Sequence, residues 1–260
     1  MPGIRQSFGL VIACLLYGTF AVGQSALAED SSRVAAVTDG DTLVLDDGRR
    51  ARLVGIDAPR APLGLPRETP WRLQEAARAG LSELALGRTV MLRGGDAPLD
   101  RYGRTLAQVY RDDGLWLQPE MLRRGLARVH SYADNRAFVP ELLIIENEAR
   151  IARRGLWRDA AYAVRRPEEM GRFVDSFQLV EGTIVDVAKV KGQVFLNFAL
   201  EWRTAFTAHL PRSALPLFRA SGVDPLSLKG VHVRLRGWVY YDRRPMIDVT
   251  HPEQIELIEH

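Results

Sequence analysis

Five short runs of alternating or β-branched residues, at 33–37, 42–45, 50–56, 89–92 and 105–110, constrain the first half of this chain more than any other feature. Runs of this length leave their backbone N–H and C=O groups unsatisfied unless they pair with one another, so they demand a sheet. Helical periods separate them. Residues 71–86 follow the turn formers Pro66 and Pro70 and place Leu73, Ala76, Ala77, Leu81 and Leu84 or Leu86 on one stripe, as in a helix that covers a sheet. Residues 119–124 read as a second, short helix closed by Gly125. Residues 140–154 read as a third, with Gly155 at C′.

Past Trp157 the pattern changes. A charged, proline-bearing stretch at 161–172 reads as a linker, and a second set of strands follows at 177–187, 193–198, 202–210, 231–240 and 245–250, with a helix at 212–220. Five short strands and one helix suit a small oligonucleotide-binding barrel, a fold whose open sheet face takes nucleic acid or sugars. No long internal repeat is visible, so two such units would share an architecture without sharing a sequence. The expected organisation is a leader at 1–28, a first domain at 29–160, the linker, and a second domain at 173–260 with a nucleic-acid-binding role.

The leader rests on Arg5, the apolar run from Phe8 to Val22, and the small-residue exit Ala26-Leu27-Ala28. Cleavage after Ala28 would export the protein to the periplasm or the medium, with no membrane attachment. Cys14, the only cysteine, lies inside this leader, so the mature chain has no internal disulfide. The formal charge of the whole chain is only +3, which excludes binding to polyanions by bulk charge. Lysine occurs only at Lys189, Lys191 and Lys229, and every other fixed cation is an arginine. The five histidines show no metal-ligand spacing.

Chemistry is concentrated in three stretches: Asp39-Gly40-Asp41-Thr42, Arg52-Leu53-Val54-Gly55-Ile56-Asp57-Ala58-Pro59, and Asp100-Arg101-Tyr102-Gly103-Arg104. Asp41 and Asp57 offer hard anionic oxygens of the kind calcium takes, while Arg52 and Arg104 present planar forks that match phosphate oxygens. Alone, Asp-Gly-Asp-Thr is an ordinary hairpin turn. An ion pair between Arg104 and Asp100 is also open, and is compatible with phosphate binding. In the second domain Arg234, Arg236, Trp238 and Tyr240 interleave cations with rings, as a stacking platform for single strands does. The same alternation also fits a strand with Val231, Val233 and Leu235 towards a core and its arginines towards water. Arg150, Arg153, Arg154 and Arg158 read as a solvated helix face with Glu146 and Glu148 within reach.

In motif content, order and spacing, residues 32–157 resemble the staphylococcal-nuclease-like, or thermonuclease, family. The resemblance implies a five-stranded oligonucleotide-binding barrel with three helices and a calcium-dependent phosphodiesterase acting on DNA and RNA. It makes Asp41 and Asp57 the calcium carboxylates, with the Ala58 carbonyl as a third ligand and Asp39 behind them. Arg52 and Arg104 become the phosphate clamp, and Arg101 and Tyr102 fall beside the nucleotide. Ser131 stands where the family has a second tyrosine, with Tyr132 next to it. Arg60 stands where the family has its general-base glutamate.

Arg60 remains protonated at every working pH and cannot take a proton from water. Between Asp57 and Glu75 the only acid is Glu68, which is either the substitute base or a solvated loop acid. Two functions stay open: an exported calcium-dependent nuclease, or a silent nucleic-acid-binding protein that keeps the barrel and the phosphate clamp.

Overall fold

In a computed structural model, residues 30–61, 71–201 and 203–258 are described. The leader with Cys14, Glu68 and Trp202 lie outside them. The chain opens with β1 (Asp30–Asp39), β2 (Thr42–Leu45) and β3 (Arg50–Leu53), followed by β4 (Gly55–Asp57), α1 (Arg72–Ala85), β5 (Thr89–Leu99), β6 (Thr105–Arg111), α2 (Leu117–Arg123), β7 (Arg128–His130) and α3 (Val139–Ile151). A closed barrel forms in the order β1-β2-β3-β6-β5, with β3 parallel to β6 and the other pairs antiparallel.

The run 50–56 is not one strand. Gly55 turns the chain at φ +88°, and a Cβ there would meet Leu142 Cδ1 at 2.9 Å, so only glycine fits. The three residues that follow the break leave the barrel and pair with β7, which sets Asp57 opposite Arg128. At three residues, β7 is too short to announce itself by alternation.

Ala77, Leu81, Leu84 and Ala85 of α1 are buried at i, i+4, i+7 and i+8 against the barrel, while Ala76 and Leu86, expected on the stripe, are exposed. The ends of α2 and α3 meet through backbone. Gly125, at φ +65°, closes α2 in a Schellman turn, with its N–H on Leu122 and that of Leu126 on Met121. At the end of α3 the C′ residue is Arg153, at φ +50°, and not Gly155, which is itself left-handed at φ +51° two residues further on. Gly155 instead lets its neighbour Leu156 donate to the Gly125 carbonyl at 2.8 Å, and a Cβ on Gly125 would lie 2.2 Å from the Arg154 oxygen.

Residues 161–172 carry short 3-10 turns, and Met170 is fully buried in the second core. Then come β8 (Ser176–Thr183), β9 (Asp186–Val190), β10 (Gln193–Asn197), β11 (Thr207–Leu210), α4 (Leu215–Ala220), β12 (His232–Tyr241), β13 (Pro245–Asp248) and β14 (Ile255–Leu257). The expected strand 177–187 breaks at Ile184-Val185 into β8 and β9, which pair with β12 and β10 respectively. Taking β8 and β9 as one bent strand, the path runs through β10, β11, β13 and β12 back to β8, with β11 parallel to β13. That is the order and parallel pair of the first barrel, and in both units a helix leads into the fourth strand. The architecture recurs, as the strand spacing predicts.

Candidate active site

The site begins at the β1–β2 turn, which α1 presses from behind. A Cβ on Gly40 would lie 2.5 Å from Ala77 Cβ and 2.7 Å from Ala58 Cβ, so glycine is what lets the turn seat Asp41. Asp41 has no exposed surface. Its Oδ2 accepts from the Ala58 N–H at 2.9 Å and forms an ion pair with Arg52 at 3.0 Å, and its Oδ1 accepts from the Thr42 hydroxyl at 3.2 Å. Asp39 sits behind and accepts the Asp41 N–H at 3.2 Å. Burial pushes the Asp41 carboxyl up to about 6 in spite of Arg52 and Arg60.

Asp57, at the end of β4, accepts from Arg60 at 2.7 Å and from Arg128 at 3.2 Å, with Arg52 at 3.5 Å. Burial raises its pKa, but Arg128, Arg60 and the other nearby cations outweigh burial and hold the carboxyl below its ordinary range. Arg104 rests on Asp100 at 2.7 Å, the alternative open from sequence, and its other arm reaches the Thr42 hydroxyl at 3.2 Å. The register that sets Thr42 beside Arg52 and Arg52 beside Leu106 brings the three stretches together.

Arg60 decides the centre. Its Nη1 bonds Asp57, and its Nη2 lies 3.2 Å from both oxygens of Asp41, so the guanidinium fills the gap between the two carboxylates. Calcium takes six to eight oxygens in general. Asp41 Oδ1 is already engaged twice and Oδ2 three times, and among the described residues no group of three acidic, histidine or cysteine side chains is placed to hold a metal ion. As arranged, the donors do not fit calcium.

These residues open onto a cleft of about 840 Å³ walled by both sheet units. The first unit contributes Arg52, Asp57, Arg60, Arg101, Tyr102, Arg104 and Tyr132, together with Arg50, Arg128 and His130, which sequence reasoning missed. The second contributes Phe177 and Trp238, direct partners across β8 and β12. Tyr102 is exposed beneath the Arg101 and Arg104 guanidiniums, at 4.9 and 5.6 Å from its ring centre. Tyr132 is exposed and stacks on His130 at 4.8 Å. Burial depresses the His130 pKa to about 4, so its ring is neutral.

Arg234 and Arg236 are not part of a platform. They are 7% and 1% exposed, against 57% for Trp238 on the same face of β12. Arg234 pairs with Glu181 at 2.6 Å, and Arg236 with Glu256 at 2.6 Å and with Glu146 of α3 at 2.7 Å. Alternation does put Val233 and Leu235 in the core, but on the opposite face Arg236 is covered by the first unit and Trp238 is the exposed residue, with His232 and Tyr240 half-buried. Glu146 thus serves Arg236 and not the α3 arginines.

Residues 50–159 match the model of the staphylococcal nuclease homologue family. An uncharacterized endonuclease of Escherichia coli is 38% identical over 136 residues, 51% of this chain and 80% of that protein. Protein ParB of Escherichia coli is 35% identical over 166 residues, 60% of this chain and 88% of its own length. A thermonuclease of Staphylococcus intermedius is 30% identical over 144 residues, covering 54% and 83%.

Proposed function

Because the chain belongs to the staphylococcal nuclease family, we propose that it is a nuclease acting on the phosphodiester bonds of DNA or RNA, with the strand lying in the cleft between its two sheet units. One observation carries this reading: Arg52, Arg104 and Asp57 line an arginine-rich cleft edged by exposed rings, with Asp41 sealed beneath and paired with Arg52. Arginine forks pair with phosphate oxygens and neutralise the charge that grows on them during in-line attack. Asp100 holds Arg104 in place, and Asp41 orients Arg52. Bases leaving the backbone track would stack on Tyr102, Tyr132 and Trp238, a sequence-tolerant mode suited to single strands.

The family resemblance brings with it calcium dependence. Bound between Asp41 and Asp57, a calcium ion would supply positive charge to the phosphate, and Arg60 would first have to leave. A carboxylate base is the other requirement, and Glu68 is the nearby candidate in sequence. Export of the mature protein is part of the same proposal, supported by the leader pattern in the sequence of residues 1–28. Among the described residues no helix is long and apolar enough to cross a membrane.

Residues 29–260 should be incubated with labelled DNA and RNA, in calcium and then in chelator, beside Arg104→Ala. Cleavage by the parent that falls roughly 100- to 1,000-fold in the variant supports the assignment. Tight binding without cleavage in either medium replaces it with the silent binding protein, the reading that Arg60 at the base position favours.

A further inference from the structure

We propose that Arg60 is the resident cation of this site, standing between Asp41 and Asp57 in the role of a divalent metal, so that the cleft binds a phosphodiester strand without metal. The inference rests on the nucleic-acid reading of the cleft and adds to it the charge state in which the strand is taken.

Two carboxylates beside a polyanion repel it, so a site that keeps both must neutralise them. In this chain the neutralising charge is covalent. The Arg60 guanidinium spans the pair, with Nη1 at 2.7 Å from Asp57 and Nη2 at 3.2 Å from both Asp41 oxygens. Arg52 bridges the same two carboxylates at 3.0 and 3.5 Å, and Arg128 caps Asp57 at 3.2 Å. Three guanidiniums therefore serve these two carboxylates, and with Asp39 behind Asp41 the cluster's charges balance with nothing bound.

Geometry also keeps Arg60 available to the ligand. Its side chain is 49% exposed and lines the cleft, whereas Asp41 is sealed beneath it. A planar guanidinium that gives one edge to carboxylates retains N–H donors on its remaining edges. A phosphate entering above it meets those donors together with the Arg52 and Arg104 forks. Calcium would have to displace a guanidinium already bonded to both of its carboxylate ligands, so Arg60 and calcium are alternatives at one position.

The test measures binding and leaves cleavage aside. Anisotropy of a labelled oligothymidylate is recorded in chelator and in calcium, and calcium is titrated alone by calorimetry, for the parent, Arg60→Ala and Arg60→Gln. The parent should bind the oligonucleotide equally in both media and take up no calcium between Asp41 and Asp57. Each variant should lose affinity roughly 10- to 100-fold in chelator, regain most of it in calcium, and show a new calcium isotherm. Melting temperature adds a readout independent of nucleic acid, since calcium should raise it in the variants and not in the parent.

A parent that needs calcium to bind the oligonucleotide, or that binds calcium as the variants do, overturns the proposal. If the parent binds no oligonucleotide in either medium, the nucleic-acid reading fails. The calcium titrations and melting curves then still decide whether Arg60 holds the metal position.

Discussion

Arg236 of β12 and Glu146 of α3 meet at 2.7 Å with neither side chain reaching solvent, and this pair ties the second sheet unit to the first. Glu146 also accepts the Val129 N–H at 2.5 Å, so it holds β7 at the same time, while Glu256 gives Arg236 a second carboxylate at 2.6 Å. Around this pair, Arg136 bonds Glu253 at 3.0 Å and Ser131 bonds His251 at 2.7 Å. The cleft's two walls are thereby fixed relative to one another, with Arg128 opposite Asp57 on one side and Trp238 on the other.

Arg236→Met should destabilise the protein by about 3–5 kcal/mol, because it leaves Glu146 buried without its cation and Glu256 with Arg234 alone at 3.4 Å. Denaturant unfolding measures this. A loss below about 1 kcal/mol would mean that the two units hold together without the pair.

Acid should loosen the same interface. Burial lowers the His251 pKa from its ordinary 6.5 to about 4, so between those values the unfolded chain holds more protons than the folded one. Stability is then complete above pH 6.5 and is lost as pH falls towards 4, by up to roughly 3 kcal/mol from this residue. His130 adds in the same direction, since burial lowers its pKa to about 4 as well. Melting temperatures from pH 7.5 to 4.5 should show a shallower acid decline in His251→Gln than in the parent. Parallel curves would remove His251 as the cause.

Trp238→Ala should weaken single-strand binding by about 1–3 kcal/mol, the range for one stacked base, with little change in salt dependence because no phosphate contact is lost. Tyr241→Ala, an exposed ring further along β12 that does not line the cleft, is the control and should bind as the parent does. Equal losses in the two variants would place the strand elsewhere.

Gly125→Ala should cost about 1–3 kcal/mol from its left-handed backbone alone. The approach of its Cβ to the Arg154 carbonyl, at 2.2 Å, adds to that by driving the ends of α2 and α3 apart. Thermal unfolding checks the size. A variant as stable as the parent would show that the contact between Gly125 and Gly155 is dispensable.

Much of the fold was legible because its signals are local. Alternation located the strands of both units, the 3.6-residue period placed Ala77, Leu81 and Leu84 on one helix face, and Gly125 marked a helix end. The three motifs already contained Asp41, Arg52, Asp57 and Arg104, and their arrival on adjacent strands follows from the order of those strands. Where local signals failed, a distant partner decided the outcome. β7 exists because β4, turned out of the barrel at Gly55, needs an edge to pair with. Arg234 and Arg236 alternate like solvent-facing residues, yet both are buried, Arg236 against the first unit and Arg234 against Glu181 and Glu256, and no pattern within β12 can reveal what packs on its outer face. Sequence by itself determined that Arg60 stands beside the carboxylates and cannot act as a base, because its identity and its pKa are properties of the residue. Only the tertiary structure decided that it bridges Asp41 and Asp57, and that Trp238 reaches the same cleft from the second unit, because both depend on distances between segments far apart in the chain.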